Sequence, residues 1–171
     1  MSDFFKVYEV GPRDGLQNEA NPISTERKNR LVDGLVDAGL QHIELTSFVH
    51  PKAVPQMADA DEVMSRAVEM YGRSPTQFIG LVFNQRGYDR AIAAGCRAIA
   101  CGVSVSESFS QSNTRMSSQE ALDITRSLVA QAKRDGLWSR VYVMTAWVCP
   151  FEGRTNPYRT IAVAEKLWEL G

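Results

Sequence analysis

Two hydrophobic rhythms alternate along this chain. Short, nearly continuous apolar or β-branched runs recur, and longer stretches between them return an apolar residue every three or four positions. The short runs are Phe4 to Val10, Ile43 to Thr46, Phe78 to Phe83, Ala98 to Val103 and Val141 to Trp147. They predict five strands. The first longer stretch opens at Ser24, a good N-cap, and runs to about Ala38. It carries Glu26 in its first turn and Leu31, Val32, Leu35 and Val36 on one face. Met57 to about Met70 predicts a second helix, and Asn84 caps a short one over Arg86 to Ala94. Ser117 with Glu120 forms a capping box before a helix reaching about Arg134. Asn156 followed by Pro157 opens a last helix to Leu170.

The joins from helix to strand repeat weakly. Gly39, Gly95 and Gly136 each stand where a helix needs a C′ residue with positive φ, and a β-rich run follows each within about five residues. Gly171 is a fourth example, where a sixth strand is expected to begin. Strict alternation of strand and helix predicts a parallel sheet, because each return crossover needs a helix. Continuous apolar strands suit a sheet covered on both faces. A doubly wound sheet and a (β/α)8 TIM barrel both accommodate this order. No GxGxxG follows the first strand and no GxxxxGK[ST] occurs, which weakens nucleotide-binding readings. Five βα units are five-eighths of a barrel. The expectation is therefore α/β, residues 1–171 forming the N-terminal portion of a single TIM-barrel domain that lacks its last three units.

Composition narrows the class. The chain has 171 residues, 44% hydrophobic and 23% charged, with formal net charge −1. That balance can bury a core and gives no net field to attract nucleic acid or an anionic membrane. No apolar run approaches the roughly 18–20 residues of a membrane span. Met1 to Lys6 lacks a secretory pattern and leaves no room for a mitochondrial presequence, so a cytoplasmic location is expected. Cys96, Cys101 and Cys149 are an odd count without CxxC spacing and read as reduced thiols.

The densest polar cluster is Gly11-Pro12-Arg13-Asp14-Gly15-Leu16-Gln17-Asn18-Glu19. Pro-x-Asp-Gly is turn chemistry, and Arg13 and Asp14 read as solvent-facing loop residues on that ground alone. A βα loop on a parallel sheet, however, lies at the C-terminal strand ends where active sites gather. There Asp14 offers a hard oxygen to a divalent metal, and Arg13 a permanent cation for a developing oxyanion. Glu44 interrupts an apolar strand, where an unpaired buried carboxylate is costly. It is either an exposed strand residue or a partner of Arg13 or a proton carrier near the barrel mouth. His42 and His50 form neither HxH nor HxxxH and read as incidental. Ser104 to Ser117 is long and polar, a plain surface loop or a ligand contact. Cys149 in Cys149-Pro150-Phe151-Glu152-Gly153 reads as inert.

These segments together resemble a known family. Val10 to Glu19, Ile43-Glu44-Leu45-Thr46-Ser47-Phe48-Val49-His50-Pro51-Lys52 and Val54-Pro55-Gln56-Met57 closely resemble the signatures of the 3-hydroxy-3-methylglutaryl-CoA (HMG-CoA) lyases. Ser106-Glu107-Ser108-Phe109 with Asn113, and Cys149 to Gly153, fit the same family. The Arg-Asp-Gly-x-Gln core is shared with isopropylmalate and homocitrate synthases, whereas the longer string and Pro-Gln-Met are similar to the lyase branch. The resemblance implies a TIM barrel with Mg²⁺ or Mn²⁺ that cleaves HMG-CoA to acetyl-CoA and acetoacetate in leucine catabolism. It implies Asp14 as metal ligand, Arg13 at the enolate oxygen, Glu44 as a supporting catalytic acid, and Gln17 and Asn113 as substrate-binding residues. It also implies an acyl-CoA substrate and a homo-oligomer. A His-x-His pair, an Asn and a Gly-rich Cys loop belong to later strands of that family and do not occur here, so the chain alone is expected to bind metal weakly and to be inactive. The competing expectations are a synthase-type condensing enzyme and a non-catalytic half-barrel assembly module.

Overall fold

The computed structural model describes residues 5–170. Phe4, where the first strand was expected to begin, and Gly171 lie outside them. The helices are α1 (Thr25–Asp37), α2 (Ala60–Tyr71), α3 (Gln85–Ala93), α4 (Glu107–Thr114), α5 (Ser118–Arg134) and α6 (Pro157–Trp168). The strands are β1 (His42–Ser47), β2 (Gln77–Leu81), β3 (Ala98–Ser104), β4 (Trp138–Met144) and a short pair, β5 (Val148–Cys149) with β6 (Gly153–Arg154). Strands β1 to β4 form one sheet in sequence order, while β5 and β6 pair antiparallel by themselves. β1 and β2 run parallel, with His42 opposite Gln77 and Ser47 opposite Leu81. Sequence order with a helix at each return is the arrangement of successive βα units in a (β/α)8 barrel.

The chain divides into two compact units. One holds Met1–Val82 with Arg86–Ile99, the other Phe83–Gln85 with Ala100–Gly171. In the first, Val32 of α1, Val63 and Met64 of α2 and the strand residues Ile43, Leu45 and Ile79 are at most 2% exposed. In the second, Leu122, Leu128 and Ala132 of α5 and Val103 of β3 are similarly buried.

Caps predicted from sequence close as expected. Ser24 accepts the Arg27 N–H, Asn156 accepts the Tyr158 N–H, and Ser117 and Glu120 make a reciprocal capping box. Gly39, Gly95 and Gly136 have φ of 81°, 84° and 70°. Three expectations needed correction. Among the described residues of the first predicted strand only Glu9 pairs, through a parallel bridge to Ile43. The chain turns away at Gly11, and Pro12 has no N–H to continue a ladder. β4 ends at Met144 rather than Trp147, because Thr145 adopts φ 54°, which breaks an extended run. The Ser104 to Ser117 segment contains α4 rather than a plain loop. Its serines disfavour helix interiors, yet Ser106 caps it by accepting the Phe109 N–H.

The glycine repeat gives a graded test. A Cβ at Gly136 would meet nothing within 4 Å, whereas one at Gly95 would lie 3.2 Å from Cγ1 of Val68. Gly136→Ala should therefore cost about 1–2 kcal/mol, the penalty of a left-handed L-residue. Gly95→Ala should cost more. Urea unfolding of both variants checks this, and equal losses would show that Val68 yields without penalty.

Candidate active site

In the first unit, the bridge at Glu9 sends the chain along β1 and into a helical turn over Gly11–Gly15. The turn is wide: Leu16 N–H donates to Gly11 O, five residues back. Such π-type turns recur at functional sites. Gly11 N–H donates to Oε1 of Glu9 at 2.5 Å, and a Cβ at Gly11 would sit 2.8 Å from that oxygen. A side chain there would push the Glu9 carboxylate aside. The turn points Arg13 inward, 9% exposed, and leaves the Asp14 side chain 54% exposed.

Arg13 meets the anomalous carboxylate of β1. Its Nε donates to Oε1 of Glu44 at 2.5 Å, and its Nη1 donates to Oδ1 of Asp14 at 2.8 Å. Glu44 is fully buried. The sequence left Glu44 between an exposed residue and a partner of Arg13, and the structure makes it the partner. A cation fixed on two sides by carboxylates is a preorganised donor for developing negative charge.

A second network holds the turn. Nδ2 of Asn18 donates to Asp14 O at 2.6 Å, and Nε2 of Gln56 donates to Glu19 O at 2.8 Å. Nζ of Lys28, only 6% exposed overall, donates to Gln56 O and to Oδ1 of Asp59, both at 2.5 Å. Oγ1 of Thr25 donates to Oδ2 of Asp59 at 2.7 Å. Pro55–Met57 and Gly11 to Glu19, separate motifs in sequence, are thus tied together. Sequence reasoning missed Lys28 and Asp59, since a lysine or aspartate in a polar helical stretch carries no local sign of burial. Gln17 follows the same turn, half-buried.

The second unit holds a different polar cluster. The Ser106 hydroxyl donates to Oε1 of Glu152 at 2.8 Å, and that oxygen also accepts the Ser108 N–H at 2.8 Å. Cys149 Sγ lies 2.9 Å from Ser106 Oγ. Either atom of that contact can donate. Burial raises the Cys149 thiol, but its hydrogen bonds with Ser106 and the Phe151 N–H outweigh that and hold it below its ordinary value. Thr145 Oγ1 holds Ser104 Oγ at 2.8 Å and accepts the Ser106 N–H at 3.2 Å. These contacts make a clamp, which the two sequence motifs did not reveal as a pair. Asn113 lies exposed on α4 in this unit. Burial pushes the Cys96 thiol up to about 11 and the Cys101 thiol to about 12. Both remain protonated, and all three cysteines are free. His42 stacks on Tyr8 at 4.7 Å, and Nδ1 of His50 accepts the Lys52 N–H, so both are engaged locally.

The HMGL-like family model matches residues 5–171. The chain belongs to the HMGL-like family. It is 41% identical to a hydroxymethylglutaryl-CoA lyase of Pseudomonas mevalonii over 97% of this chain and 54% of that protein. It is 43% identical to a lyase of Danio rerio described as cytoplasmic, over 98% of this chain and 49% of that protein. It is 40% identical to a mitochondrial one of Mus musculus, over 97% and 50%. The crystal structure of an HMG-CoA lyase from Pseudomonas aeruginosa superposes with TM-score 0.88 at 38% identity, over 96% of this chain and 54% of that one. The chain spans about half the length of the curated relatives it matches. HMGL-like relatives are thus found under both compartment names. Among the described residues no helix is long and apolar enough to cross a membrane.

Two predictions follow from these clusters. Glu44→Ala leaves the Arg13 charge buried and short of a partner, and should cost about 3–5 kcal/mol. The double variant Arg13→Met/Glu44→Leu should cost clearly less than the two single changes added together. Additive losses in urea unfolding would show that the pair is not coupled.

The second prediction concerns pH. The Ser108 N–H and the Ser106 hydroxyl hold the Glu152 carboxyl below its ordinary value, and the Ser118 N–H does the same for Glu107. A depressed folded pKa contributes stability that is complete above the unfolded carboxylate value and is lost as pH falls through the folded one. The melting temperature should therefore fall on acidification below about pH 5. Glu152→Gln should flatten part of that fall, and an unchanged acid profile would remove Glu152 from the clamp.

Proposed function

We propose that this chain carries the arginine–aspartate part of an HMG-CoA lyase active site, acting on HMG-CoA or a close acyl-CoA. The supporting observation is the inward Arg13 guanidinium held between Glu44 and Asp14, on the motif by which the chain resembles the lyases. The reaction is a retro-Claisen cleavage. A base takes the proton of the tertiary hydroxyl, the hydroxyl carbon becomes the ketone of acetoacetate, and the broken carbon–carbon bond leaves its electron pair on the thioester as an enolate. Proton return to that carbon gives acetyl-CoA.

Arg13 donates hydrogen bonds to the enolate oxygen as charge arrives there. Glu44, fully buried behind it, is a positioning residue that fixes the guanidinium plane. Gln17, on the same turn, and Asn113, on α4, are the proposed polar contacts to the substrate. In support of an acyl-CoA substrate, an HMG-CoA lyase structure from Acinetobacter baumannii, described as a complex with coenzyme A and 3-methylmalate, matches 96% of this chain at TM-score 0.88 and 30% identity.

The family's divalent cation is a separate matter. Among the described residues no group of three or more His, Cys, Asp or Glu side chains could hold a metal ion. Asp14 supplies one hard oxygen, and Mg²⁺ wants about six ligands. The residues present do not by themselves fit a divalent cation. Asp14 is proposed as one ligand of a set completed outside this chain, with Mg²⁺ or Mn²⁺ as the ion.

The test is a fusion of this chain to the part of the Pseudomonas mevalonii lyase that it does not cover. The fusion should release acetoacetate from HMG-CoA. Arg13→Gln in the fusion should lower kcat about 10²–10³-fold at temperatures where the variant is fully folded, the usual loss for one preorganised donor, and should also lower the melting temperature, because Glu44 is left buried without its cation. Near-normal turnover by that variant would end the assignment.

A further inference from the structure

The turn that carries Arg13 is held unequally at its two ends. Its entry is pinned to β1 by backbone: Glu9 N–H donates to His42 O at 2.9 Å, and Glu44 N–H donates to Glu9 O at 2.8 Å. Its exit has no strand to lie on. Residues 18–22 are exposed and run without regular structure toward Ser24, the cap of α1. Exposed backbone with few buried contacts opens at low free energy.

Gln56, in the short helical turn Pro55–Met57, fastens that exit twice. Its side-chain Nε2 donates to Glu19 O at 2.8 Å, and its own carbonyl accepts from Nζ of Lys28 at 2.5 Å. Glu19 and Lys28 bound the segment that joins the Arg13 turn to α1, so a single residue closes this segment into a loop. Lys28 is buried, and its Nζ also donates to Oδ1 of Asp59, whose other oxygen is held by Thr25. The Gln56 backbone is thus anchored by an ion pair, and its side chain reaches from that anchor to the turn. Beyond Glu19 the link to Arg13 is short. Nδ2 of Asn18 holds Asp14 O at 2.6 Å, and the Arg13 and Asp14 N–H groups both donate to Val10 O. A slip at Glu19 therefore reaches Asp14 and Arg13 within about two helical turns.

We propose that Gln56 is a positioning residue for the proposed reaction: its amide straps down the exit of the Arg13 turn and so keeps the guanidinium aimed, with Lys28 as the anchor of the strap. The inference rests on the reading of Arg13 as donor to the enolate oxygen. Two physical points favour it over a role in stability alone. The Gln56–Glu19 bond is neutral and exposed, and such bonds add little to global stability. Displacement of a reacting group by about 1 Å, by contrast, costs on the order of 10²-fold in rate.

The test reads the strap and the reaction separately. Amide hydrogen exchange is measured on this chain, and turnover on its fusion to the Pseudomonas mevalonii part. Gln56→Ala removes the donor and keeps the carbonyl that Lys28 uses, so the anchor stays in place. In that variant the Arg13 and Asp14 N–H groups should exchange about tenfold faster, with the amides of β1 and β2 unchanged. In the fusion the same substitution should lower kcat roughly 10–100-fold, less than the loss of Arg13 itself. Gln56→Glu, equal in size but without the donor, should behave as the alanine does. Gln56→Lys, which keeps a donor of similar reach, should recover most of the rate and of the protection. Unchanged exchange at the turn overturns the inference. So does faster exchange spread evenly over β1 and β2, which is plain loss of stability. An active fusion indifferent to Gln56→Ala, or a lysine variant no better than the glutamate, overturns it as well. Faster exchange confined to the turn, alongside a fusion that is inactive even without substitution, upholds the strap and counts only against the proposed reaction.

Discussion

A buried carboxylate in an apolar strand must be neutralised, and the turn that precedes α1 is built to meet that need. Glu44 in β1 has no access to water. Its charge is tolerated because Arg13, thirty-one positions earlier, is brought to 2.5 Å. That delivery sets strict terms on the segment between. Glu9 must bridge β1 so that the turn starts in register. Gly11 must lack a Cβ so that the Glu9 carboxylate can cap its N–H. The turn must be wide, so that Arg13 faces inward while its neighbour Asp14 faces out. Replacing the ion pair by apolar residues of similar size would often be neutral for stability. Stability alone therefore does not account for the pair.

The second unit solves a comparable problem with neutral groups and one carboxylate. Thr145 stands at φ 54°, a strained position for a β-branched residue. Its hydroxyl offsets that strain by bonding Ser104 and the Ser106 N–H, and its carbonyl accepts the Thr155 hydroxyl at 2.6 Å. Ser106 then caps α4 and reaches Glu152, so the strand end, the helix start and the β5–β6 pair are fixed together. Strain of this sort persists only where several neighbours determine it.

The alternation of elements was legible because periodicity, caps and C′ glycines are local signals. Ser24, Ser117 and Asn156 cap helices, and Gly39, Gly95 and Gly136 adopt the positive φ their position demanded. What was not legible depended on distant partners. The first strand shrinks to Glu9 because only tertiary pairing decides how much of an apolar run enters a ladder. α4 hides in a serine-rich stretch, since its cap and the Glu152 contact outweigh poor propensity. The end of β4 is set by a threonine whose hydroxyl finds Ser104, far away in sequence. At the site, Arg13, Asp14 and Glu44 stood out because charge interrupts apolar or glycine-rich pattern there. Lys28 and Asp59 did not, because they meet only in the folded chain, where Lys28 bonds both Asp59 and the Gln56 carbonyl.

Burial along the sheet also bears on why one site can be built in pieces. β1, β2 and β3 are almost wholly buried, whereas no residue of β4 is. Parallel sheets are stable when both faces and the edges are covered. The Arg13–Glu44 pair sits on β1, where the strand is already covered, so the guanidinium can be fixed whatever happens at β4. Asp14, facing outward at 54% exposure, gains no such cover from β1 and touches the pair only through its contact with Nη1 of Arg13. The first unit thus fixes the orientation of the guanidinium from its buried side, through Glu44, and leaves the other side open to solvent beside Asp14.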